Sequence, residues 1–111
     1  MVTPSQFKTL VASRGIDARI DAHGTIQVPL VELDRFVEVT EELGLVILGL
    51  DGLGQDGAVI VPLIDYIADF SDVAGPWLDR VRASAAASRT AAADWVGGPD
   101  LVEVVLDGLD E

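Results

Sequence analysis

The sequence predicts a single α+β domain in which helices pack on a mostly antiparallel sheet. The chain has 111 residues, close to the usual size of one domain, and 50% of them are apolar, which is enough to build a core. Segments with helical spacing of apolar residues alternate with short β-branched runs, and turn dipeptides join neighbouring runs. Over residues 1–111 the predicted order is α-ββ-α-ββ-α-α-β.

The first helix has clear start and stop residues. Thr3 is a favourable N-cap, Pro4 suits the first helical position, and Gln6 stands at the capping-box position. Apolar residues then recur at helical spacing until Gly15, which favours helix termination. These features predict a helix at about 4–14.

A hairpin and an amphipathic helix follow. Apolar residues alternate on both sides of the His23-Gly24 pair, which predicts two antiparallel strands. The alternating residues are Ile20, Ala22, Ile26 and Val28. After Pro29, the segment "LVELDRFVEVTEELG" has one apolar and one acidic face and ends at Gly44, as expected of a helix that packs on one side.

The hexapeptide "GLGQDG" at 52–57 has the G-x-G-x-x-G spacing of a dinucleotide-binding loop. Such a loop must open a helix whose N-terminal amides bind the pyrophosphate, but the β-branched run "AVIVP" follows it. The spacing of its acids also excludes an EF-hand calcium loop. Asp56-Gly57 therefore predicts a hairpin turn between strands at 45–51 and 58–61, with the two preceding glycines allowing a bulge.

Two helices and a strand complete the predicted fold. The segment "LIDYIADFSD" at 63–72 has apolar residues about three positions apart and predicts a short helix. Pro76 and the "GGP" stop at 97–99 bound an alanine-rich helix of roughly twenty residues, with a tryptophan anchoring each end. The apolar run "LVEVVL" at 101–106 predicts the last strand.

The net charge of −12 limits the classes of partner. It disfavours nucleic acid and anionic membranes and favours a basic partner. Residues 36–79 carry nine acids and no base, and residues 90–111 carry six acids and no base. No segment has the composition of a signal peptide or approaches the roughly 18 apolar residues of a membrane span, so we expect a cytoplasmic protein.

The residues needed for common catalytic and metal chemistry are missing from the sequence. The chain contains no cysteine, and its one histidine, His23, lies in a predicted turn. A catalytic triad, thiolate chemistry and a multi-histidine metal site are therefore excluded. The serines lie outside the motifs that activate a nucleophile. We expect neither an enzyme nor a cofactor.

Acidic residues between 51 and 72 are the predicted partner-binding site. The set consists of Asp51, Asp56, Asp65, Tyr66, Asp69 and Asp72. On a helix, Asp65, Asp69 and Asp72 would share one face, and Tyr66 would be an aromatic anchor among charges. A solvated surface and a divalent-ion site are the alternatives for these carboxylates. A second acidic face, on the preceding helix, consists of Glu38, Glu41 and Glu42.

The stretch "ELGLVILGLDGLGQDGAVIVPLIDYIADFSD" resembles small immunity proteins of bacterial polymorphic-toxin and contact-dependent growth inhibition systems. The resemblance lies in an acidic α+β domain without a catalytic set, a glycine-rich hairpin and an acidic aromatic segment after it. It implies a protein without activity of its own that binds and blocks a cognate basic toxin domain, an RNase or a DNase.

Two other classes of function remain open from the sequence. One is a non-catalytic intracellular scaffold or regulatory protein-interaction module, whose acidity only maintains solubility; the other is a small-molecule-binding domain. A toxin inhibitor predicts a salt-sensitive complex with a basic protein, and a small-molecule binder predicts thermal stabilisation by a metabolite. The oligomeric state also remains open, with a monomeric free protein as one expectation.

Overall fold

Three α-helices lie on one side of a five-stranded antiparallel sheet within residues 2–21 and 23–109, the part of the chain that the computed structural model describes. The fold class is therefore α+β, as predicted. In chain order the elements are α1 (Pro4–Ser13), β1 (Arg19–Ile20), β2 (Ile26–Pro29), a 3₁₀ helix (Leu30–Glu32), α2 (Leu33–Glu42), β3 (Val46–Asp56), β4 (Val59–Asp69), α3 (Trp77–Asp94) and β5 (Leu101–Asp107). The strand order β1-β2-β5-β3-β4 makes β1 and β4 the edges.

Helix α1 begins with the predicted capping box. Thr3 Oγ1 accepts a hydrogen bond from Gln6 N at 3.1 Å, and Gln6 Oε1 accepts one from Thr3 N at 3.0 Å. The two side chains thus satisfy backbone donors that the first turn of a helix cannot satisfy itself. The helix ends at Ser13, one residue before the predicted end.

The predicted hairpin around His23-Gly24 is present, since β1 and β2 pair antiparallel. Its turn is held by Asp21 Oδ1, which accepts hydrogen bonds from His23 N at 2.8 Å and from Thr25 N at 2.9 Å. These bonds lower the pKa of Asp21 below its ordinary value, and the bond from Thr25 is the largest cause. Ala22, which the prediction placed on one arm, lies outside the described residues.

One face of the sheet and the three helices enclose the hydrophobic core. The central row of this face consists of Ile26, Val104, Leu50 and Ala68, which lie opposite one another on four adjacent strands. From the helical side, Phe7 of α1 and Phe36 of α2 meet edge to face with their ring centroids 5.6 Å apart. Both rings are fully buried, so α1 and α2 are joined to the sheet by the same core.

The "GLGQDG" segment lies in a β-hairpin, as predicted. Asp56 pairs with Val59, so Gly57 and Ala58 form a two-residue turn. Gly57 has a φ of 61°, a conformation that glycine reaches without the steric cost of a Cβ atom. Strand β3 continues through the first two glycines of the segment and β4 follows directly. The segment therefore does not open a helix, which a pyrophosphate loop requires.

The short helix predicted at 63–72 is wrong, because β4 extends to Asp69 as the edge strand. The register between β3 and β4 shifts between Asp51 and Leu53, so residues 63–66 of β4 stand against a single residue of β3. This bulge interrupts the alternation of side chains along β4. Apolar residues consequently recur about every three positions, a spacing that imitates a helix.

Helix α3 packs on β3 and α2 through small side chains, the buried Ser84, Ala85, Ser88 and Ala92. Ser84 Oγ accepts a hydrogen bond from Ile47 N at 3.1 Å and lies 3.2 Å from Val81 O, to which it donates. A strand amide that would otherwise be buried without a partner is thus satisfied by a helix side chain.

We expect Ser84→Ala to lower the free energy of unfolding by about 1–3 kcal/mol, because Ile47 N would stay buried without a partner. Ser88→Ala is the matched control on the same helix. Ser88 is fully buried and its Oγ has no hydrogen-bond partner among the described residues, so its removal should be neutral or stabilising by about 1 kcal/mol. Urea unfolding measures both variants, and equal losses would contradict the role given to Ser84.

Candidate functional site

The side of the sheet that faces away from the core is the candidate site. Its central row crosses four strands and consists of Gln27, Glu103, Asp51 and Ile67. The next row consists of Val105, Gly49 and Asp69. Because successive residues of a strand point to opposite faces, these rows lie opposite the rows that face the helices. We call the surface formed by these seven residues the open face.

Two grooves lie on either side of Ile67 on the open face. One has a volume of about 370 Å³ and lies between Val105 and Asp69. The other has a volume of about 330 Å³, with Leu53 in it and Ile64 beside it. The residues that line both grooves belong to β3, β4, β5 and the turn after β4. The helices therefore leave this surface accessible.

Three of the four strands that form the open face carry acids and no base. Together β3, β4 and β5 carry no Lys or Arg, and their acids are Asp51, Asp56, Asp65, Asp69, Glu103 and Asp107. Among the described residues, none of these six carboxylates forms an ion pair. Along the central row the next base is Arg19, on β1, which pairs with Gln27 two strands away from Glu103. The carboxylates of the open face are thus without an ion pair among the described residues, and the base in their row lies at the far edge of the sheet.

The second predicted acidic face, on α2, is in a different electrostatic environment. Glu41 forms an ion pair with Arg89 at 2.9 Å, and Glu42 forms one with Arg14 at 2.8 Å. These pairs connect α2 to α3 and to the end of α1. Two of the three glutamates are therefore engaged within the molecule, whereas no described residue forms an ion pair with the acids of β3, β4 and β5.

The structure brings two of the predicted site residues together. Asp51 and Asp69 both line the groove beside Val105. Asp69 Oδ1 also accepts hydrogen bonds from Ser71 Oγ at 2.6 Å and from Ser71 N at 2.9 Å. These bonds lower the pKa of Asp69 below its ordinary value, and the bond from the hydroxyl is the largest cause.

The other predicted aspartates are spread around the open face. Asp56 lies at the hairpin turn, Asp65 on the bulge of β4 and Asp72 in the turn after β4, and all three are exposed. Since 63–69 is strand, Asp65, Asp69 and Asp72 do not share a helical face. The geometry that suggested a divalent-ion site at these three residues is therefore absent.

Tyr66 is half-buried and packs against other parts of the chain. Its ring meets that of Trp95 edge to face, with centroids 5.8 Å apart. A methyl group on Gly98 would lie 2.6 Å from the Tyr66 ring, and one on Gly52 would lie 2.5 Å from Tyr66 Cβ. The ring thus covers two glycines and holds the loop between α3 and β5 on β3. Tyr66 is thus anchored within the chain itself, and its role as an aromatic anchor for a partner stays a prediction.

The prediction from sequence missed Glu103 and the apolar residues of the grooves. Glu103 is the single polar residue of "LVEVVL", and in a strand it lies on the face opposite to that of Val102 and Val104. That alternation was available in the sequence and identifies Glu103 as the outward residue. Ile64 and Ile67 were assigned to a helix, where the same residues would face inward.

Two features are absent from residues 2–21 and 23–109, a cluster of metal ligands and a helix able to span a membrane. No group of three or more His, Asp or Glu side chains in that part of the chain is close enough to hold a metal ion. None of its helices combines the length and the apolar character needed to cross a bilayer. What the open face offers chemically is carboxylate acceptors beside exposed aliphatic surface.

Comparisons with known protein families, with curated proteins and with solved structures found no match to this chain.

We expect Ser71→Ala to raise the pKa of Asp69 towards the ordinary value of 3.8, because the hydroxyl bond favours the ionised form. A lowered pKa stabilises the fold above the ordinary value, and this contribution is lost as the pH falls through the folded-state pKa. In the variant it should be lost at a higher pH. Carboxyl carbon shifts in an NMR pH titration measure the change, and an unshifted Asp69 would contradict the assigned bond.

Proposed function

We propose that this protein is a non-catalytic immunity protein that binds a basic toxin domain through the open face and thereby neutralises it. One observation carries the proposal: accessible apolar grooves and unpaired carboxylates occupy the same side of the sheet, on strands without a base. Large exposed apolar surface rimmed by charge is typical of protein-protein interaction sites.

The chemistry of a nuclease fits such a surface. An enzyme that cleaves RNA or DNA needs a positively charged cleft for the phosphates. Carboxylates that project from a rigid sheet can take the place of those phosphates and block the cleft. Opposite charge also accelerates association by about 10–1,000-fold at low salt, which is useful to an inhibitor whose target is lethal. Because DNA and RNA lie in the bacterial cytoplasm, the proposed site of action is there.

The distribution of charge determines which side of the protein attracts a basic partner. The bases of the chain are Lys8, Arg14, Arg19, Arg35, Arg80, Arg82 and Arg89, and they lie on the helices, on β1 and at the end of α1. The end of the sheet formed by β3, β4 and β5 is purely acidic. A basic partner is therefore attracted to this end, and the helical side is disfavoured.

Titration against the basic domain encoded by the neighbouring upstream gene, at low and at moderate salt, tests the proposal. We expect a 1:1 complex that weakens as salt is raised and that abolishes the nuclease activity of the domain. Asp51→Asn with Glu103→Gln should weaken the complex, because both carboxylates lie in the centre of the open face. Glu38→Gln with Asp34→Asn on α2 is the charge-matched control.

The outcomes separate the classes of function. Equal effects of the two double variants would show that only net charge matters and would contradict the assignment of the open face. A nuclease that remains fully active when saturated with the protein would contradict inhibition. A complex that is insensitive to salt and leaves the partner active would favour a scaffold or regulatory module.

A further inference from the structure

The groove beside Leu53 lies at the bulge of β4. It has a volume of about 330 Å³. Residues 63–66 of the edge strand stand against one residue of β3, and Leu63 and Ile64 line the groove together with Leu53.

The exposed aliphatic side chains around this groove are large. Ile64 is 83% exposed and Ile67 is 59% exposed, whereas Leu53 in the groove is only 6% exposed. Isoleucine side chains that stay in water do not contribute the favourable free energy that their burial would give. An apolar group that entered the groove would remove water from both isoleucines and would rest on Leu53, which is already held in place.

The wall of the same groove carries two carboxylates. Asp51 and Glu103 line it and lie directly opposite each other on β3 and β5. Side chains in this relation have Cβ atoms roughly 5 Å apart. Neither carboxylate forms an ion pair with a described residue. The charge that complements the groove must therefore come from its occupant.

We propose that the groove binds an arginine together with an adjacent apolar side chain of the basic partner, the apolar group beside Leu53 and the guanidinium between Asp51 and Glu103. The proposal rests on the proposed function and names the element of the partner that the open face recognises. Arginine fits better than lysine, because its planar guanidinium donates in two directions and is more weakly hydrated than an ammonium.

A synthetic peptide tests this recognition without the partner. The probe is an acetylated pentapeptide in which one phenylalanine stands between two arginines, with a glycine at each end. One control peptide has glycine in place of the phenylalanine, and the other has glutamines in place of both arginines. The ¹⁵N-labelled full chain is titrated with each peptide, and the changes in amide chemical shifts give the affinity of the peptide and its binding site on the protein.

We expect the probe to bind about tenfold more tightly than either control peptide, because burial of an aromatic side chain and the charged contacts both contribute. The largest shifts should occur at the residues that line the groove beside Leu53. Equal binding of the probe and the arginine-glycine control would overturn the apolar half of the proposal. Shifts spread over all acidic surfaces would overturn the assignment to this groove.

Variants of the full chain test the apolar residues and the carboxylates of the groove separately. Ile67→Ser should lower the affinity for the probe peptide by about fivefold or more, and Val59→Ser should change that affinity by less than about twofold. Val59 is the matched control, since it lies on the same strand, is 60% exposed and does not line the groove. For the carboxylates, Asp51→Asn with Glu103→Gln should abolish the preference for the probe over the glutamine control, whereas Asp56→Asn should keep it.

The peptide and the domain titrations fail in distinguishable ways. Failure of the probe to bind, with the basic domain still bound through the open face, overturns the arginine-apolar recognition and leaves the proposed function intact. Binding of the probe at the groove, with no inhibition of the basic domain, supports the recognition and overturns the proposed function.

Discussion

The packing of α3 on β3 is the interaction on which the remainder of the molecule depends. The small residues along α3 allow the helix to lie close to the sheet and to α2, and Ser84 supplies the hydrogen-bond partner that Ile47 N needs. Because α1 and α2 join the same core, the three helices occupy one side of the sheet. The opposite face of β3, β4 and β5 therefore has no helix packed on it.

The open face follows from that constraint. Its residues contribute little to the main core, so carboxylates and exposed isoleucines are tolerated there at a limited cost in stability. The directly opposed Asp51 and Glu103 repel each other, and no ion pair relieves them among the described residues. On the helical side, Glu41 and Glu42 are paired with arginines. We assign the unpaired Asp51 and Glu103, which lie beside exposed apolar side chains, to a basic partner.

The sequence was sufficient for the elements whose start and stop depend on local chemistry. The Thr3 and Gln6 capping box and the glycine turn at Gly57 act within a few residues of the chain, so the helix start and the hairpin could be deduced from spacing alone, although the turn consists of Gly57 and Ala58 and not of Asp56 and Gly57. The end of β4 could not, because the bulge opposite Gly52 depends on pairing with β3 and disrupts the period of two. The position of the Tyr66 ring depends on Gly98 and Trp95, about thirty residues later, and the pairing of Glu103 with Asp51 depends on the strand order. These long-range relations decide which acids form the site.

Urea unfolding of the Asp51→Asn and Glu103→Gln double variant, at low and at high salt, tests most directly whether the open face serves binding and not folding. Relief of the repulsion should raise the free energy of unfolding by about 0.5–1 kcal/mol at low salt, and the gain should shrink at high salt as the charges are screened. A loss of stability at both salt concentrations would contradict the assignment, because it would mean that the two carboxylates hold the sheet together.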